Sequence, residues 1–178
     1  MTNTSETSDS QPSRRPRNPA WLVAIFLIGL ATLVHVVAPW AISLLTPRYG
    51  WVEGRPGLGN LIGLIPAATG LAMIAWALRL HFVRRTGIWE LEPVPRQMLV
   101  KGPYRFSRNP MYLLELAMWL GWAIFYGSGA VLLAFGLWWI VFALIIIPRE
   151  ERQLEARFGE TYVQYKRNVP RWFGLIRR

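Results

Sequence analysis

Met111–Tyr126 (MYLLELAMWLGWAIFY), Gly127-Ser128-Gly129 and Ala130–Ile147 (AVLLAFGLWWIVFALIII) form one passage whose only formal charge is Glu115. Two apolar runs of 16 and 18 residues, joined by three small residues, read as a helical hairpin at membrane depth. Each run gains a few neutral residues from its flanks. Upstream, Ala20–Leu45 supplies 26 uncharged residues and Leu58–Leu78 another 21. A helix needs about 20 such residues to cross a bilayer. The pattern therefore predicts an all-α integral membrane protein with four transmembrane helices, near 20–45, 58–80, 110–127 and 129–148. Residues 1–19, rich in Ser, Thr and Pro, are expected to be a disordered tail, and 149–178 a cytoplasmic helical segment.

Composition agrees with membrane and removes other classes. The 178 residues suit one domain; 53% are hydrophobic, above the roughly 45–50% of soluble domains. Absence of cysteine excludes a disulfide framework, an iron–sulfur cluster and a thiol nucleophile, and two histidines (His35 and His81) are too few for a zinc site. Net charge +10 suggests either nucleic acid or an anionic membrane surface. The block arrangement of the apolar residues favours membrane and argues against nucleic acid. Lys and Arg fall 18 on one face of the four spans and two (Arg48 and Arg55) on the other, which predicts cytoplasmic termini. The first apolar run is far longer than the roughly 7–15 residues of a signal-peptide core, so it is read as a retained span.

Polar residues concentrate at two places on the predicted cytoplasmic face. One is the entry to span three, Leu99–Tyr112, with Tyr104, Arg105, Arg108, Asn109, Pro110 and Tyr112; the other is the exit from span four, with Glu150 and Glu151. In a hairpin centred on Ser128, with both helices rising about 1.5 Å per residue, position i pairs with roughly 256 − i. That arithmetic sets Arg105 beside Glu151, Arg108 beside Pro148 and Glu115 near Val141. Pro110 suits the first turn of a helix, whose free N–H groups favour an anion. The cluster is suited to a zwitterion. It can equally be read as positive-inside anchors paired with Glu150 and Glu151 and an interfacial tyrosine belt.

The run Gly-Pro-Tyr-Arg-x-x-Arg-Asn-Pro-x-Tyr from Gly102, then Glu150-Glu151-x-x-Leu154, Phe158-Gly159-x-x-Tyr162-x-x-Tyr165 and Val169-Pro170, resembles the isoprenylcysteine carboxyl methyltransferase and phospholipid methyltransferase family. The similarity covers roughly 79–173. It implies an integral-membrane enzyme that takes S-adenosylmethionine from the cytosol and methylates a lipid-like or small apolar acceptor. By motif position it implies cofactor contacts from Tyr104, Arg108, Asn109, Pro110, Tyr112, Glu150 and Glu151, with Arg105 in the same cluster. Asn109 departs from the histidine of the eukaryotic carboxyl methyltransferases. Asparagine donates and accepts hydrogen bonds but is no base near neutral pH, so it is assigned binding.

Methyl transfer from a sulfonium depends mainly on alignment and exclusion of water. Arg108 is suited to a carboxylate of the cofactor or of the acceptor. A carboxylate acceptor needs no base, whereas an amine must lose a proton, for which Glu115 is the nearest group; Glu115 and Arg108 are therefore the candidate catalytic residues. Glu115 is alternatively a snorkelling group, a partner of Arg79 or a neutral group in a helix contact. Tyr112, Glu115 and Trp119 share a helix face that suits either an acceptor cavity or packing.

Other features carry less. His35 reads as an interhelical hydrogen-bonding residue, Pro39 and Pro66 as kinks, and His81–Arg85 as a membrane-edge anchor. Gly57-x-Gly59-x-x-x-Gly63 has no strand before it and enters a span, so it is read as close helix packing and not a dinucleotide site. Leu154, Phe158, Tyr162, Tyr165 and Val169 make an amphipathic stripe, broken at Gly159, that is expected to lie on the membrane and to close over the cofactor. Two other functions fit the layout: an NADPH-dependent membrane reductase of the sterol-reductase type, and a non-enzymatic membrane partner. The acceptor, whether carboxylate, amine or thiol, is expected to be a lipid or a membrane-dissolved small molecule.

Overall fold

A computed structural model describes residues 20–83, 98, 100 and 102–173. The N-terminal tail and the cations Arg84, Arg85, Arg96 and Lys101 lie outside the described residues, as do the side chains of Arg79 and His81. The chain opens with α1 (Ala20–Thr32), a π-helical turn (Leu33–Val37) and α2 (Ala38–Ser43), which form one rod. A loop, α3 (Leu58–Leu61) and α4 (Leu64–Val83) follow. After a 3₁₀ turn at Gly102–Arg105 come α5 (Pro110–Tyr126) and α6 (Gly129–Val141), then a second π-helical turn (Phe142–Ile146), α7 (Ile147–Phe158) and α8 (Glu160–Asn168).

Among the described residues three helical stretches are long and apolar enough to cross a membrane: Ile25–Ser43, Leu58–Ala75 and Gly129–Phe158. The expected third span, α5, has only 17 residues and carries Glu115. It is the central helix, packed on α2, α3, α4 and α6, so its surroundings are protein as much as lipid. Met118, Trp119, Ala123 and Val131 form the core around it. Outward faces carry exposed Phe26, Leu133 and Leu144, as lipid contact requires. Gly63 and Gly121 press backbone to backbone, where a methyl group on either would strike the other's chain. Close packing is thus confirmed for Gly63, whereas Gly59 has no near neighbour.

Proline placement explains both wide turns. A proline has no N–H for the carbonyl four residues back and its ring crowds that carbonyl. Ahead of Pro39 and Pro148 the helix widens, Ala38 N–H bonding Leu33 O and Ile147 N–H bonding Phe142 O, five residues back. The carbonyl of His35, which Pro39 cannot serve, accepts a 2.8 Å hydrogen bond from Trp122 Nε1. Pro66 is no mid-span kink: it sits in the first turn of α4, where its missing N–H costs nothing, and the break falls before it at Ile62–Gly63.

One departure from the expected all-α chain matters. A short hairpin, β1 (Trp51–Val52) and β2 (Arg55–Pro56), turns through Glu53 and Gly54, both with positive φ, as a two-residue hairpin loop demands. It caps the Gly127 turn: Tyr49 N–H bonds Gly127 O (3.0 Å), Asn60 Nδ2 bonds Tyr49 O and Ile124 O, and Trp51 Nε1 bonds Phe125 O. The outgoing helix, moreover, does not end at 148. Gly129–Phe158 runs for 30 residues, about 45 Å, so Glu150 and Glu151 ride on the span's own continuation. Gly159 (φ 54°) breaks it, as expected.

Candidate cofactor pocket

Two strips of chain clamp the entry to α5. Arg108 N–H bonds Pro170 O (3.0 Å), Asn109 Nδ2 and Ser107 Oγ both bond Arg171 O (2.9 and 3.2 Å), and Tyr165 OH bonds Tyr104 O (2.7 Å). The C-terminal segment therefore closes over the entry loop, with Tyr162 and Val169 of its apolar stripe buried. Lys166 pairs with Glu155 at 2.8 Å and braces α8 against α7.

Beneath this clamp lies a cavity of about 80 Å³ lined by Tyr104, Arg108, Asn109, Glu150, Glu151 and Tyr165, with Met98, Leu154 and Tyr162. Glu151, 6% exposed, is held by two cations: Arg108 Nη1 at 2.9 Å and Arg171 Nη2 at 2.7 Å. Arg108 approaches Glu151 without hydrogen-bonding alignment, which leaves its buried Nε and Nη1 without hydrogen-bond partners. Glu150 accepts a 2.9 Å bond from Tyr112 OH. A guanidinium with unmatched donors and a carboxylate thus face one small space, the pattern a zwitterionic amino-acid end requires. The volume lies well below the roughly 300 Å³ of the smallest sites for drug-sized ligands, so it matches that end and not a whole nucleoside.

The phenols around the pocket are protonated donors. Burial, aided by Glu151, pushes the Tyr162 hydroxyl up to about 12; burial beside Tyr162 and Tyr104 does the same for Tyr165; burial and Glu150 raise Tyr104. Hydrogen bonding to Glu151 raises Arg171 further above its already high value.

Of the residues expected at this site, Tyr104, Arg108, Asn109, Glu150 and Glu151 line the cavity, Pro110 is buried at the first position of α5, and Tyr112 reaches in through Glu150. Arg105 is exposed and does not line the cavity, which corrects the expected pairing with Glu151. Backbone rise is the reason. Asn109 is not helical (φ −129°, ψ 52°), so the helical rise of about 1.5 Å per residue that sets Arg105 beside Glu151 stops at Pro110, and Arg108 meets Glu151 instead. Glu115 lies deeper: with His35, Trp138 and Phe142 it lines a second cavity, near the predicted level of Val141. Sequence reasoning missed Arg171, although it follows the Val169-Pro170 motif; the interhelical hydrogen bond expected of His35 is present, with Glu115 as the partner that the sequence did not name. Among the described residues no group of three or more acidic or histidine side chains is placed to hold a metal ion.

Comparison with known proteins converges on one family. The phospholipid methyltransferase family model matches residues 61–161, more than half of the chain and both strips that carry Arg108 and Glu151. A methanethiol S-methyltransferase of Pseudomonas deceptionensis is 29% identical over 171 residues, 92% of this chain. This chain spans 64% of that relative's length. An uncharacterized protein of Haemophilus influenzae is 39% identical over 66 residues, 35% of this chain and 98% of its own. No solved structure matches. The chain belongs to the phospholipid methyltransferase family.

Proposed function

We propose that the protein is a membrane methyltransferase that binds S-adenosylmethionine in the Arg108–Glu150 pocket, from the cytoplasmic side, and methylates a lipid-like or small apolar acceptor. The observation that carries this reading is the pair of opposite, incompletely matched charges facing one pocket inside the family-matched region. When bound, the cofactor supplies an electrophilic sulfonium methyl group. The chain's own task is to hold and align.

Arg108 presents Nε and Nη1 to a carboxylate, and Glu150 presents its carboxylate to an ammonium or to ribose hydroxyls. Glu151 is already matched by Arg108 and Arg171, so it orients Arg108 and does not bind directly. Tyr104 and Tyr162 offer protonated hydroxyls, and they and Tyr165 offer ring faces that attract a cation. Asn109 ties the pocket to the C-terminal strap through Arg171 O. Glu115 takes the proton when the acceptor has one to lose. Similarity to the Pseudomonas methanethiol S-methyltransferase supports a thiol among the possible acceptors, and the charge asymmetry of 18 cations against two supports four crossings with cytoplasmic termini.

The test is calorimetric titration of the detergent-purified chain with S-adenosylhomocysteine. Saturable binding, weakened about 10- to 100-fold by Arg108→Ala or Glu150→Gln, is expected from loss of one charge-assisted contact. Absence of heat at millimolar ligand, or binding of NADPH instead, contradicts the proposal.

A further inference from the structure

The second cavity, about 290 Å³, lies between the helices at the level of Glu115. Its walls are apolar: Met73 and Ile74 from α4, Met111 from α5, Trp138 and Phe142 from the outgoing helix. His35, Glu115 and Tyr112 interrupt them. His35 Nε2 lies 3.0 Å from Glu115, and both side chains keep under one-fifth of their surface exposed. Trp119 Nε1 donates to Glu115 Oε1 at 3.2 Å. His35 Nδ1 lies 2.8 Å from Ala31 O. A carbonyl only accepts, so Nδ1 carries a hydrogen and the lone pair of Nε2 faces the Glu115 carboxylate, two acceptors that one incoming proton bridges. The pair is built to store one proton inside the bundle.

Both π-helical turns border this space, His35 lying in the first and Phe142 opening the second. Such turns re-aim side chains and recur at functional sites. Tyr112 lines this cavity and donates to Glu150, which lines the cofactor pocket. The two spaces thus adjoin at Tyr112.

We infer that the cavity is the acceptor site, that its substrate is a small uncharged apolar thiol, and that the Glu115–His35 pair takes the thiol's proton. This rests on the methyl-transfer reading above. The step balances: the S–H bond breaks with its proton passing to the pair, the thiol sulfur's electron pair forms the new S–CH₃ bond, and the CH₃–S⁺ bond breaks with its electrons returning to the departing sulfur. Products are a neutral thioether, S-adenosylhomocysteine and one stored proton. Among the described residues neither Lys nor Arg lines the cavity, so a carboxylate acceptor would face Glu115 unscreened in a low-dielectric space. An ammonium would have to shed its hydration shell as a charge to enter these apolar walls, whereas a thiol enters uncharged. The thiolate is the reactive form of a thiol, so a thiol gains most from a resident base. The titratable groups facing Glu115 among the described residues are His35 from the first rod and Tyr112 on α5; α4 and the outgoing helix contribute apolar side chains and Gly70.

The experiment uses the full chain in lipid nanodiscs, with 1-butanethiol, butylamine and butyrate as probes. Binding to the cofactor-free protein is read by fluorescence of the tryptophans at the cavity, and methyl transfer by mass spectrometry of butyl methyl sulfide. Saturable thiol binding is expected, with butyrate at least tenfold weaker. Glu115→Gln should keep thiol and S-adenosylhomocysteine binding while losing about 10²–10⁴-fold in transfer rate. Its residual rate should climb about tenfold per pH unit toward the thiol's own ionisation, because only preformed thiolate then reacts. Should Glu115→Gln not fold, Met73→Trp fills the cavity and should abolish thiol binding while sparing S-adenosylhomocysteine. Butyrate binding as tight as the thiol, wild-type transfer by Glu115→Gln, or undiminished thiol binding by Met73→Trp overturns the inference. A wild-type chain that binds the thiol but no S-adenosylhomocysteine overturns the methyl-transfer reading on which the inference rests; one that binds S-adenosylhomocysteine but no thiol overturns the acceptor site alone.

Discussion

Replacing Glu151 by glutamine strips the shared counter-charge from two arginines while preserving shape. Glu151's side chain is 8% exposed; Arg108's is 11% and Arg171's 37%. Removing one partner of a buried ion pair costs about 3–5 kcal/mol, because a desolvated charge is left unmatched. Arg171 can turn to solvent and adds little, whereas Arg108 has no such escape. The pocket side admits some water, so the lower end, about 3 kcal/mol, is expected. For a chain of this size each kcal/mol moves Tm by about 2–4 °C, which places Glu151→Gln about 6–12 °C below wild type. Arg171→Gln, which removes only the exposed partner, should cost about 1 kcal/mol and 2–4 °C. Tryptophan-monitored thermal unfolding in one detergent measures both. A Glu151→Gln shift below 2 °C, or one equal to that of Arg171→Gln, would refute the idea that Glu151 is the buried keystone of the clamp.

Other expectations follow from single contacts. Trp122→Phe leaves the His35 carbonyl, already denied a partner by Pro39, unsatisfied inside the bundle; a loss of about 1–3 kcal/mol should appear as a Tm drop of about 2–12 °C, and an unchanged Tm would show the carbonyl finds another donor. Arg105→Ala, at an exposed position, should keep S-adenosylhomocysteine affinity within about twofold while Arg108→Ala loses it, and equal losses would return Arg105 to the site. Tyr162 and Tyr165 hold folded values near 12 against 10 for a free tyrosine, so the neutral phenols stabilise the fold fully below pH 10 and that contribution is lost between pH 10 and 12. Absorbance of tyrosinate at alkaline pH should show these two hydroxyls titrating late in wild type and absent in the Tyr162→Phe, Tyr165→Phe double variant. Titration of all tyrosines near pH 10 would count against a closed strap.

Hydropathy blocks alone located the hairpin, the helix start at Pro110 and the break at Gly159, because a span and a proline leave strong local marks. Convergence of the Arg108 and Glu151 strips was likewise readable from a turn that pairs two rods. The register of that meeting was not. It depends on non-helical backbone at Asn109 and on a π-helical turn before Pro148, and side-chain identity marks the proline without stating how wide the turn becomes. The Glu115–His35 contact joins residues 80 apart on helices whose rotation no periodicity sets, since α1 is apolar all round. The β-hairpin over Gly127 hid in a loop whose turn residues, Glu53 and Gly54, are weaker signals than Asn-Gly. Arg171 lay one residue past a recognised motif, and only the folded strap shows that it shares Glu151 with Arg108.

The most direct test is an experimental structure of the chain with S-adenosylhomocysteine. Ligand density with its carboxylate at Arg108 Nε and Nη1 and its ammonium at Glu150 is the predicted result. Density placed away from both residues, or bound only at the far end beside the Gly127 turn, would contradict the account.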